Sequence, residues 1–97
     1  MLNLSKKARN DLKSIAVYTQ KNWGENQRNC YMDTVYNTFS NLSKNPRLGI
    51  KIDGIYKGLY KYLVGKHLII YEIISKNDIQ IIRVLHQKMD IKPQMLQ

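Results

Sequence analysis

The chain has 97 residues, sixteen of them basic and seven acidic, for a net charge of +9. That length supports one core, which on folding removes about two thirds of the unfolded chain's surface from water, and the charge favours a polyanion or an acidic protein as partner. A single cysteine excludes an internal disulfide framework and a cysteine zinc site, and two separated histidines offer no metal-ligand spacing, so no metal or cofactor is expected.

Cys30 is expected as a small core residue in a reducing compartment. No apolar run approaches the roughly 18 residues of a membrane span, and the first residues lack the apolar stretch of a signal peptide, so a soluble cytoplasmic protein with no membrane partner is expected. The charge is uneven. Residues 1–43 carry six basic and three acidic groups, and residues 44–97 carry ten and four.

Leu2-Asn3-Leu4 is a short strand candidate. Ser5 is placed to cap a helix from about Lys6 to Asn22, whose apolar positions Ala8, Leu12, Ile15, Ala16 and Thr19 follow the helical period. Lys6, Lys7 and Arg9 stand in its first turns against the macrodipole, a cost of a few tenths of a kcal/mol each that a solvated face tolerates. Gly24 can end this helix with a left-handed conformation, and Trp23 is expected to pack back over the corner. A second helix follows with Tyr31, Val35, Thr38, Phe39 and Leu42 on its apolar side, antiparallel to the first. Asn45-Pro46 stops it, because the residue before a proline is biased out of the helical region.

Arg47 to Gly54 reads as a loop, with Gly49 and Asp53-Gly54 as turn signals. From there the period changes to two. Ile55 to Val64 is a tyrosine-rich strand, Gly65-Lys66 a hairpin turn, His67 to Ile74 a second strand, Ser75 to Asp78 a turn, and Ile79 to His86 the last strand. The tail after Asp90 holds Pro93 and reads as flexible or a final turn. This order specifies an α+β domain spanning residues 1–97: an N-terminal strand and an antiparallel helix hairpin packed on a mostly antiparallel sheet.

The last strand and its exit are the candidate functional element. Alternation puts Ile79, Ile81, Arg83 and Leu85 on one face and Gln80, Ile82, Val84 and His86 on the other. Arg83 cannot shed its charge, so it faces water or a partner, or pairs with a carboxylate, for which Glu72 is the obvious candidate. Tyr56, Tyr60 and Tyr62 fall on one face of their strand, as a core layer would. They could also stack on bases among the surrounding cations. His67 reads as a structural histidine, and His86 as either a cap or a recognition group.

The ordered set Ala8, Asp11-Leu12, Ile15, Tyr18, Trp23-Gly24, Gln27, Tyr31, Phe39, Leu42, Asn45-Pro46 and Leu48-Gly49 continues through Gly58-Leu59 and His67 to Tyr71. It ends in Arg83-Val84-Leu85-His86-Gln87-Lys88-Met89-Asp90. Over nearly the whole chain this resembles the ParE branch of the RelE/ParE toxin superfamily. The resemblance implies a β-α-α-β-β-β toxin of a type II toxin-antitoxin pair, neutralised in a hetero-oligomer by a ParD-like antitoxin that wraps the exposed groove. It further implies a gyrase poison that turns over no substrate. The superfamily's RelE branch cleaves messenger RNA on the ribosome, so fold alone does not decide the activity. For RNA cleavage the nominees are His86, Arg83 and Lys88, but the last tyrosine is Tyr71, and the carboxy-terminal tyrosine common in that branch is missing. Lys88 stands where the ParE pattern has arginine, which keeps the charge and loses the bidentate fork. The expected surface for antitoxin or target is Ile81, Arg83, Leu85, His86, Lys88 and Met89, with no catalytic residue.

Overall fold

The computed structural model describes residues 2–52 and 58–95. Its strands are β1 (Leu2–Leu4), β2 (Ile50–Lys51), β3 (Leu59–Val64), β4 (His67–Ser75) and β5 (Asp78–His86), and its helices α1 (Lys6–Trp23), α2 (Glu25–Lys44) and α3 (Ile91–Met95), with a 3-10 turn at Pro46–Leu48. The five strands form one sheet in the order β1-β5-β4-β3-β2. Only β1 and β5 run parallel; the other pairs are antiparallel. The α+β class and the helix hairpin are as the periodicities specify.

Ser5 caps α1 as its position implies, its hydroxyl accepting the Ala8 N–H at 3.0 Å. Gly24, at φ +96°, ends α1 and starts α2, and its N–H donates to the Gln20 carbonyl. Each helix buries one stripe: Ala8, Leu12, Ile15 and Thr19 from α1, and Met32, Val35, Phe39 and Leu42 from α2. These stripes meet Tyr60, Val64, Ile69, Tyr71, Ile79, Ile81 and Val84 on one face of the sheet.

Tyr71 fixes where the chain goes after α2. It is fully buried, stacks on Tyr60 with ring centroids 5.6 Å apart, donates its hydroxyl proton to the Pro46 carbonyl at 2.6 Å and accepts the Gly49 N–H at 3.0 Å. A Cβ at Gly49 would collide with that hydroxyl and stand 2.9 Å from the Lys61 carbonyl oxygen, so the approach requires glycine for space.

Three local expectations are corrected. Cys30 is exposed, because α2 turns its 32/35/39/42 stripe inward and leaves position 30 on the far side. Trp23 is 68 % exposed, since Gly24 leads directly into α2 and leaves no corner to pack over. The tail forms a five-residue helix. The first hairpin strand begins at Leu59 within the described residues, and the expectations for Asp53-Gly54, Ile55 and Tyr56 fall outside them.

Leu12 and Leu42 are 4 % and 0 % exposed. Leu12→Ala or Leu42→Ala is expected to lower unfolding free energy by about 2–5 kcal/mol through the transfer loss and the cavity left behind. Urea denaturation checks this, and a change under about 1 kcal/mol would contradict the packing.

Candidate functional site

The last strand does not keep its alternation. Its register with β4 steps from Ile70↔Arg83 to Tyr71↔Ile81, so Ile82 has no opposite residue. Such a bulge exchanges the faces that follow it. Before it, Ile79 and Ile81 point to the helices. After it, Val84 takes that role, while Arg83 and Leu85 share the opposite face with Ile70 and Leu68.

The bulge has a partner in α1. Ile81 and Ile82 turn both carbonyls to the same side, where the Ser5 backbone N–H donates to Ile81 at 2.9 Å and the Ser5 hydroxyl donates to Ile82 at 2.6 Å. Two turns of α1 later, Asp11 accepts the Val84 N–H at 3.0 Å. The same carboxylate takes the Arg83 guanidinium in a two-point fork, Nε at 2.8 Å and Nη2 at 3.0 Å, with both side chains largely buried at 12 % and 16 % exposure. Arg83 Nη1 donates to the Gln94 carbonyl at 2.8 Å and so ties α3 back to the sheet. Hydrogen bonding to Asp11 raises the Arg83 pKa against the opposing effect of burial.

The expected partner of Arg83 is therefore corrected. Glu72 lies on the same sheet face, opposite Leu59 and Gln80, but Arg83 reaches over the strand edge to α1 instead. The expected site set divides as well. Ile81 is fully buried under the helices, Leu85 is 3 % exposed on the far face, and Arg83 is committed to Asp11 and Gln94. These three do not form one open apolar patch, because the bulge separates Ile81 from Leu85. His86 is half-buried, while Lys88 and Met89 are exposed.

His86 belongs to a second cluster, on the helix-facing side. It sits directly across from His67, with ring centroids 5.5 Å apart and edge to face. His67 Nδ1 lies 2.6 Å from the Tyr31 hydroxyl of α2, which also accepts the Lys66 N–H at 3.2 Å. Gly65 makes room for this: at φ +55°, it lies where a Cβ would come within 2.7 Å of the Tyr31 ring. Burial lowers the His67 pKa, and His86 lowers it further. Burial raises that of Tyr31, partly opposed by the Lys66 N–H. His86 Nδ1 accepts the Lys88 N–H at 3.2 Å and its carbonyl accepts the Met89 N–H at 2.9 Å, so this imidazole folds the turn that presents Lys88 and Met89.

Asp11 and Tyr31 carry this region; the sequence placed Tyr31 on the apolar side of the second helix and Asp11 only in the family pattern, and assigned neither of them this role. A signal existed for each. Asp11 borders the α1 stripe, three residues after Ala8 and four before Ile15, and Tyr31 stands four before Val35.

Residues 2–91 match the family described as ParE toxin of the parDE type II toxin-antitoxin system. A Mycobacterium tuberculosis protein named Toxin ParE1 is 33 % identical over 88 residues, covering 91 % of this chain and 90 % of its own length. Toxin ParE1 of Caulobacter vibrioides is 29 % identical over 89 residues, covering 92 % and 91 %. Two solved structures share the fold. One is from the chromosomal ParDE system of P. aeruginosa, with TM-score 0.73, 16 % identity and coverage of 88 % and 92 %. The other is from the RelBE2 toxin-antitoxin complex of Mycobacterium tuberculosis, with TM-score 0.66, 22 % identity and coverage of 89 % and 95 %.

Two predictions follow from this geometry. Asp11→Ala and Arg83→Ala each leave partners unpaired in a largely buried place, and each is expected to cost roughly 3 kcal/mol, the low end for breaking a buried pair. Glu72→Ala is expected to stay within about 0.5 kcal/mol. A double-mutant cycle on Asp11 and Arg83 showing no coupling would dispose of the fork.

The second prediction concerns pH. With its folded pKa below the ordinary value, His67 favours the native state while neutral. The unfolded chain takes up the proton first, so this contribution is complete above about pH 6.5 and declines as the pH falls through the lowered folded value. The melting temperature is expected to drop between about pH 7.5 and pH 5.5, and to drop less in His67→Gln. Identical pH profiles for the two proteins would refute this assignment.

Proposed function

The chain belongs to the ParE toxin family of type II toxin-antitoxin systems, and from that membership we propose that it inhibits DNA gyrase in the cytoplasm by stabilising the cleaved gyrase-DNA complex. In this reading it is a binding protein, not an enzyme, and a ParD-like antitoxin neutralises it in a hetero-oligomer. The single structural observation that favours gyrase over messenger RNA as target is the commitment of Arg83 to Asp11. A nuclease built from His86, Arg83 and Lys88 needs those groups around one phosphate. Here Arg83 and His86 lie on opposite faces of the sheet, and one ring nitrogen of His86 already holds a turn.

The surface proposed for the target is the exit of β5, where His86 positions Lys88 and the 48 % exposed Met89. For the antitoxin, the β3–β4 side of the sheet face opposite α1 and α2 supports a groove reading. There Leu63, 52 % exposed, pairs with the part-buried Leu68, and Lys61 stands two residues before it on β3, whereas Leu85, Ile70 and Arg83 farther across the same face are covered. An exposed apolar edge beside a cation suits an amphipathic segment with acidic residues.

Purified protein is expected to block supercoiling by gyrase and to trap cleaved DNA. Lys88→Ala should weaken that inhibition while shifting stability by no more than about 0.5 kcal/mol; His86→Ala should weaken it too and, because it removes the imidazole that holds the turn, cost about 1 kcal/mol while the protein stays folded. Cuts in ribosome-bound messenger RNA with supercoiling untouched would move the protein to the nuclease branch. Full inhibition by both folded variants would place the working surface elsewhere.

A further inference from the structure

A cleft of about 650 Å³ lies far from the exit of β5, between the carboxy-terminal end of α2 with its following 3-10 turn and the turn joining β4 to β5. Its charged lining is Lys44 and Arg47 on one wall and Lys76 on the other, and among the described residues no carboxylate lines it. All three side chains are exposed, and none forms an ion pair among the described residues. Among the described residues the Arg47 guanidinium makes one hydrogen bond, from Nη1 to the Tyr60 hydroxyl at 3.4 Å. Pro46, Leu48 and Ile73 add apolar surface, Leu48 being 51 % exposed. The two walls are tied together, since the Ser43 hydroxyl donates to the Asn77 carbonyl at 3.3 Å.

The end of a helix attracts cations through its dipole, which accounts for Lys44 and Arg47 in part. It does not account for Lys76, which arrives from a hairpin turn on the opposite wall. The carboxylate of Asp78, next in the chain to the lining residue Asn77, accepts the Ser75 hydroxyl at 2.7 Å. Three exposed cations lining one open cleft from two walls, with apolar surface beside them, suit a phosphodiester, its charge among the cations and its sugar against Leu48 and Ile73.

We propose that the cleft of Lys44, Arg47 and Lys76 is a binding site for the phosphodiester backbone of nucleic acid. It is separate from the His86, Lys88 and Met89 surface and does not rest on gyrase as the target. Such a site holds the backbone and carries no base specificity, because phosphate contacts position a nucleic acid without reading it.

The test is binding of a labelled DNA duplex of about twelve base pairs, followed by fluorescence anisotropy over a salt series, with no gyrase present. The triple variant Lys44→Gln, Arg47→Gln, Lys76→Gln is compared with a charge-matched control, Lys6→Gln, Lys7→Gln, Lys13→Gln, on the exposed side of α1. The cleft triple is expected to reduce the slope of log affinity against log salt by about two to three, and affinity at least tenfold, while the control keeps the wild-type slope. Equal slopes in the two triples, or no duplex binding by the wild type, would overturn the site. A readout on the wild type guards against misfolding: a thymidine dinucleotide should shift the amide resonances of residues 44–48 and 73–77, and shifts confined elsewhere would refute the proposal. If polyglutamate of matched charge binds as tightly and loses as much in the cleft triple, the site selects acidic protein and the nucleic-acid assignment fails.

Discussion

The structure depends on how the edge of β5 is closed. β1 covers that edge only from Ile79 to Ile81, and the strand runs on to His86. Backbone groups left open there beside a packed helix would go unsatisfied at a cost of about 1–3 kcal/mol each. The first two turns of α1 supply what β1 does not: Ser5 takes the carbonyls of Ile81 and Ile82, and Asp11 takes the N–H of Val84. One short stretch thus starts a helix, docks it and ends a sheet edge. The basic residues in its first turn, Lys6 and Lys7, stay exposed and outside this contact.

Once Asp11 is in that place, Arg83 is explained. A carboxylate drawn to the edge for one backbone N–H still has lone pairs to fill, and the planar guanidinium fills them in a fork that lysine could not reproduce. The remaining Arg83 nitrogen reaches Gln94, so the same arginine holds the tail helix. An arginine beside the proposed recognition residues in sequence is here a structural keystone joining α1, β5 and α3.

The element order was legible because hydrophobic period is a local property. The switch from the helical stripe ending at Leu42 to alternation in β3 marks the boundary, and Asn45-Pro46 and Gly65 mark the turns. What was not legible is non-local. A bulge at Ile82 adds one residue to one strand and reverses the facing of everything after it, and nothing in the composition of Ile81-Ile82-Arg83 announces it. The choice of Asp11 over Glu72 as partner runs against that reversal, which puts Arg83 on the Glu72 face, and follows from where β1 stops, since the open edge beyond Ile81 is what Asp11 and Arg83 close together. Cys30 failed for a simpler reason: a small residue beside a helical stripe is placed by a rotation of one position, and the stripe runs through Met32.

The placement of the polar groups bears on what kind of surface a member of this toxin family presents here. Tyr31, His67 and His86 resemble an acid-base relay in composition, yet their geometry is that of a brace. Tyr31 joins α2 to the β3-β4 turn through Lys66 and His67, and His86 joins β5 to the turn beyond it. Burial lowers the His67 pKa and so favours its neutral form, and its Nδ1 lies 2.6 Å from the Tyr31 hydroxyl. These contacts engage the polar groups inward, and a surface braced in this way up to Lys88 and Met89 would lower the entropy cost of the docking proposed for it. A brace beneath two exposed side chains suits the recognition surface proposed at the exit of β5, with its polar groups engaged inward beneath the residues it would present.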